Sequence, residues 1–116
     1  MRNIVKASLV PCLAALSIAA LATSTQAAPP GADFDGMVSE IFVNDTQILV
    51  AVSGRVNGSC PGSWGPYNLT FDMADPGADE KFALIRDAFS TGRRIAGFVR
   101  GCGSSHIDKL SQVSVY

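Results

Sequence analysis

The sequence has little from which a catalytic or metal centre could be built. Histidine occurs once, at His106, and the three cysteines, Cys12, Cys60 and Cys102, stand apart with no C-x-x-C pair and no Cys/His cluster. Zinc and dithiol redox sites need that kind of spacing, so both are excluded, and no metal or other cofactor is expected. No glycine-rich phosphate loop follows a strand pattern. The longest apolar run, Leu9 to Ala22, is about 14 residues and contains Pro11. A membrane-spanning helix needs roughly 20, so a membrane span is not expected.

That apolar run belongs instead to a secretory signal. Arg2 and Lys6 form a positive leader before it, and Thr25-Gln26-Ala27 offers small side chains at the third-last and last positions of a cleavage site. The reading is a bacterial-type signal peptide over 1–27, a flexible leader over 28–33 and one domain over 34–116, secreted or periplasmic. Cys12 falls in the middle of the apolar run and leaves with the signal. Without Arg2 and Lys6, seven basic residues face ten acidic ones, a net charge near −3. No cationic excess is left to release counterions from phosphates, so a nucleic-acid partner is not expected.

A domain of this size buries only about 60–65% of its unfolded surface and is marginal without a covalent or metal staple. In an exported chain, Cys60 and Cys102 are expected to supply one as a disulfide. Closing a loop of about 40 residues contributes roughly 3–4 kcal/mol in the chain-entropy account.

Along the domain, Met37, Ile41 and Val43 read as one face of a first strand, and Asn44-Asp45 as a turn. Ile48, Val50 and Val52 alternate with Leu49 and Ala51 in a second strand, completing a hairpin. The stretch Gly54 to Gly65 has loop composition, and Tyr67, Leu69 and Phe71 mark one face of a third strand. A helix is expected with Asp75 as N-cap, Pro76 at the first helical position, a stripe of Phe82, Ile85, Ala88 and Phe89, and Gly92 as the left-handed C-cap. Two strands close the chain, Arg94 to Arg100 and Ile107 to Tyr116, the latter with Val113 and Val115 opposite Leu110. The expected class is mainly β with one helix, in the order β-β-β-α-β-β. This is the order of the five-stranded OB-fold barrel, whose closure hides strand edges. An open five-stranded sheet with the helix on one face is the alternative.

Few residues point to chemistry. His106 lies near Ser104 and Ser105, but nucleophilic catalysis needs a hydrogen-bonded base and an orienting acid, and a solvated turn histidine is the simpler reading. Asp33, Asp35 and Glu40 form an acidic group near the first strand, expected to be a solvated edge rather than a pair spanning a cleft. Trp64 and Tyr67, in glycine-rich surroundings, read either as a platform for an amphipathic ligand such as a sugar or as buried area that plugs a barrel end.

The run Asp35-Gly36-Met37-Val38-Ser39, Cys60 followed by Trp64-Gly65, the helix ending at Gly92 and the strand Arg94 to Val99 together resemble the receptor-binding B subunits of the subtilase-cytotoxin and pertussis-like toxins. The resemblance covers roughly Asp35 to Tyr116. It implies an OB-fold without catalytic activity, often pentameric, that binds sialylated glycans through a serine on the first strand. Ser39 matches that serine and Asp35 an acidic neighbour of the sugar site. Where the toxins present tyrosines on the fourth strand, this chain has Phe98 and Val99. The expected function is thus an exported, non-enzymatic binding module, with Ser39, Asp35, Trp64 and Tyr67 as ligand contacts and a homo-oligomer as its assembly. The alternative is a periplasmic structural or inhibitory protein that binds a protein partner.

Overall fold

The computed structural model describes residues 28–116; the signal-peptide reading, Cys12 included, lies outside the described residues. The elements are β1 (Phe34–Val43), β2 (Gln47–Val56), β3 (Leu69–Asp72), α1 (Ala78–Thr91), β4 (Arg94–Cys102) and β5 (Asp108–Val115), with a short 3-10 turn at Ser104–His106. The strands close into a ring in the order β1-β2-β3-β5-β4, with β4 pairing back onto β1. Only β3 and β5 run parallel. The expected element order is met, and the open-sheet alternative is not.

The hairpin turns on Asn44, whose Oδ1 accepts the N–H groups of Thr46 and Gln47 at 3.0 and 2.8 Å. Both strands run further than alternation predicts, pairing as far as Phe34 with Val56. Gly54, read from composition as loop, lies inside β2 opposite Gly36. The two backbones approach so closely that a Cβ on Gly54 would sit 2.2 Å from the Asp35 carbonyl oxygen. Glycine here marks close approach, not a loop.

The predicted face of β1 is corrected by a bulge. The register slips between Val38 and Glu40, leaving Ser39 as the extra residue, and a one-residue slip exchanges the faces of everything beyond it. Phe34 and Val38 therefore share the core with Ile41, while Met37 is half-buried and Val43 is 46% exposed. A second slip passes Ser111 by and brings Leu110 and Val113 to the core together, although strict alternation sets them on opposite faces.

On β2, Ile48, Val50 and Val52 enter the core as expected. Leu49 and Ala51, on the other face, are buried as completely as they are. β3 begins two residues later than predicted, because Asn68 takes the place of a ladder rung: its Oδ1 accepts the Val52 N–H and its Nδ2 donates to the Val52 carbonyl, both at 2.9 Å. Tyr67 is left outside the strand in an isolated bridge with Trp64.

The helix start also differs. Asp75-Pro76-Gly77-Ala78 form a turn closed by the Ala78 N–H on the Asp75 carbonyl at 3.1 Å, with Gly77 at φ 72°. Proline followed by a positive-φ glycine suits a type II turn, so Gly77 caps the helix and Pro76 precedes it. The Asp75 carboxylate accepts the Asp72 N–H at 2.9 Å instead of capping. Gly92 ends the helix in the left-handed region, its N–H on the Ala88 carbonyl, as expected. The buried line runs through Ala78, Ile85 and Ala88. Phe82 and Phe89 flank it, Phe82 half-buried against the core and Phe89 48% exposed. Docking turns the helix so that Phe89 leaves the predicted stripe.

The disulfide between Cys60 and Cys102 is present, with Cα atoms 5.7 Å apart and a sequence separation of 42. It fastens residues 57–68, the connection from β2 to β3, to the end of β4. The Gly62 N–H donates to the His106 carbonyl at 2.9 Å and the Cys60 N–H to Asp108 Oδ1 at 3.3 Å, so the two loops also adhere without the bridge. Replacing Cys60 and Cys102 together by serine is expected to lower the unfolding free energy by about 3–4 kcal/mol in denaturant titration. A loss under about 1 kcal/mol would show that the noncovalent clasp alone holds the loop.

Candidate functional site

An aromatic cluster sits on the outer face of the hairpin. Beyond the bulge, Glu40 and Phe42 point away from the core, and Phe42 is paired with Leu49. The Trp64 ring meets Phe42 edge-on at 5.0 Å and stacks on Tyr67 at 5.5 Å with planes 29° apart. Phe42 and Glu40 pair with Leu49 and Ala51 across the hairpin, so the cluster adjoins the outer side of β2, where Leu49 and Ala51 are buried. Trp64 nevertheless remains 45% exposed, so it does not plug a barrel end. Its ring lies over the outside of the sheet.

Polar groups stand at the rim of this cluster. The Tyr67 hydroxyl donates to Glu40 Oε2 at 3.3 Å, and burial, followed by the Glu40 charge, raises its pKa. The Ser39 hydroxyl donates to the Ala51 carbonyl at 3.1 Å and keeps its lone pairs for a donor from outside. The bulge leaves Ser39 and Glu40, neighbours in sequence, both exposed on this side.

Asp35 belongs to a different cluster. Four residues along β1 from Ser39, it is about 13 Å away at a strand's rise per residue. Its carboxylate accepts the Tyr116 hydroxyl and Arg94 Nη2, the latter at 3.2 Å. The Tyr116 hydrogen bond, with Arg94 adding to it against the opposing effect of burial, holds the Asp35 carboxyl below its ordinary range. Burial and Asp35 together push the Tyr116 phenol up. The structure thus stacks Trp64 on Tyr67, places Ser39 next to Glu40, the partner of Tyr67, and sets Asp35 apart.

The acidic group expected at a solvated edge is dispersed among separate partners. Asp33 Oδ2 accepts the Val99 N–H at 3.0 Å, Asp35 binds Arg94 and Tyr116, and Glu40 binds Tyr67. His106 is exposed, in a turn where it and Ser105 have positive φ, and the Ser104 hydroxyl accepts from Gln47 Nε2. Among the described residues no group of three metal-ligating side chains converges and no helix is long and apolar enough to cross a membrane.

Sequence reasoning missed Phe42, Arg94 and Tyr116, and it assigned Glu40 to a solvated edge rather than to Tyr67. Phe42 was recoverable, since its parity opposes Ile41 across a hairpin partner, Leu49, that also had to be covered. Arg94 and Tyr116 reach Asp35 only through the pairing of β4 with β1 and of β5 with β4, which no local pattern contains. No family model, curated protein or solved structure matches the chain.

The depressed pKa of Asp35 sets an acid limb of stability. A carboxyl with a lower pKa folded than unfolded stabilises the fold at neutral pH, and this contribution is lost as pH falls through the folded value. Asp35→Asn is therefore expected to lower the melting temperature at pH 7 but to flatten its fall between about pH 5 and pH 2. Parallel melting curves for the two proteins over that range would show that the pair is screened by solvent.

Proposed function

We propose that this chain is an exported, non-enzymatic binding module with an OB-fold, akin to the toxin B subunits it resembles, and that it holds a glycan on the outer face of its first hairpin. The ring order β1-β2-β3-β5-β4 with one helix between β3 and β4 supports the fold assignment. The disulfide supports an oxidising compartment, secreted or periplasmic.

The observation that carries the functional reading is Trp64, 45% exposed yet held by Phe42 and Tyr67. An aromatic face fixed in this way presents apolar area with little entropy left to lose, and the C–H face of a pyranose ring can stack on it. Ser39 and Glu40 at the rim supply acceptors for sugar hydroxyls. Sialylated glycans are the class that the match at Ser39 suggests. Self-association would draw on Leu84 and Phe89, exposed on α1 at 41% and 48%.

Glycan-array screening followed by titration tests the reading. A bound glycan should lose about tenfold in affinity with Trp64→Ala, in line with the worth of an aromatic contact, and a few-fold with Ser39→Ala. Circular dichroism of each variant confirms that the fold is kept. An empty array, or full binding by a folded Trp64→Ala protein, would refute the proposal.

A further inference from the structure

A recessed surface elsewhere on the domain shares no residue with the aromatic cluster. It is a groove of about 500 Å³ where the turn before α1, the first turns of α1, β4 and β5 meet. This volume falls within the range of small-molecule sites, about 300–1,000 Å³. Three cationic side chains from three elements line it: Lys81 of α1, Arg100 of β4 and Lys109 of β5.

The three are not equivalent. Lys109 pairs with Asp75 at 3.0 Å and Asp72 at 3.4 Å, so its charge is matched within the fold. Both oxygens of Asp75, the one carboxylate in the lining, are occupied, Oδ1 by Lys109 and Oδ2 by the Asp72 N–H. Lys81 donates only to the Pro76 carbonyl, at 3.1 Å. Among the described residues neither Lys81 nor Arg100 has a carboxylate within ion-pair distance. Two cations without an ion pair of their own therefore face a groove whose one carboxylate already has both oxygens engaged. Ser111 adds a hydroxyl donor and Pro76 an exposed apolar wall.

We infer that this groove binds a phosphate monoester. A phosphate dianion carries close to two negative charges and three terminal oxygens, matching one guanidinium fork and one ammonium approaching from different elements. The groove is far larger than one oxyanion, so the phosphate's organic body lies along Pro76. A singly charged sulfate ester satisfies only one of the two cations and binds more weakly.

Titration of the disulfide-bonded domain with glucose 6-phosphate, glucose 6-sulfate and glucose, followed by amide chemical shifts, tests the assignment. Glucose 6-phosphate is expected to bind with shifts centred on Lys81, Arg100 and Ser111, the sulfate ester several-fold more weakly, and glucose not at all. Arg100→Gln, at an exposed position without an ion pair, is expected to weaken phosphate binding about tenfold with melting temperature unchanged. The inference is overturned if glucose 6-phosphate leaves these amides unmoved at low salt, if the sulfate ester binds equally well, or if Arg100→Gln together with Lys81→Gln binds like the parent. Binding of any glycan at Trp64 is a separate readout and does not bear on this one.

Discussion

The bond between Cys60 and Cys102 joins the longest connection of the domain to the far end of β4 and so anchors the loop that carries Trp64. A five-stranded ring of this length can fill its interior with one layer of side chains, yet Leu49 and Ala51 point outward and are 2% exposed each. On the same outer side the tethered loop brings Trp64 and Tyr67 against Phe42, the residue paired with Leu49 across the hairpin. Constraining the unfolded chain and positioning an aromatic surface are thus two consequences of the same covalent link.

The noncovalent clasp around the bridge fixes the loop's path. Gly58 lies against the Asp108 carboxylate where any Cβ would collide with it, and Gly62 lies against the backbone of Ser105 and His106. Side chains at these positions would lift the loop away from the β4–β5 turn. The glycine-rich composition that reads as a flexible connection is therefore the condition for close packing of two loops. The exposed tryptophan rests on a framework held at both ends.

Irregularities in the strands do as much as the strands themselves to place polar groups. The bulge at Ser39 restores core contact for Ile41 after Val38 and leaves two adjacent polar side chains on the outer surface beside the aromatic cluster. The slip at Ser111 brings Val113 inward after Leu110, and Ser111 itself lines the groove with Arg100 and Lys81. Each bulge adjoins one of the two recessed or aromatic surfaces, as extra residues in strands commonly do near binding sites.

The sequence by itself determined the elements, their order and the cysteine pairing, because these rest on local periodicity, turn chemistry and the presence of just two cysteines in the small domain. Asn44 at the hairpin turn and Gly92 at the helix end could be read from side-chain chemistry alone. Only the tertiary structure decided which residues share a face beyond each bulge, where Gly54 belongs, and that Asp35 pairs with Arg94 and Tyr116 rather than joining Ser39. The reason is physical: a bulge and a close backbone approach are set by how strands from distant parts of the chain pack, so their effects on side-chain direction appear only once the ring has closed.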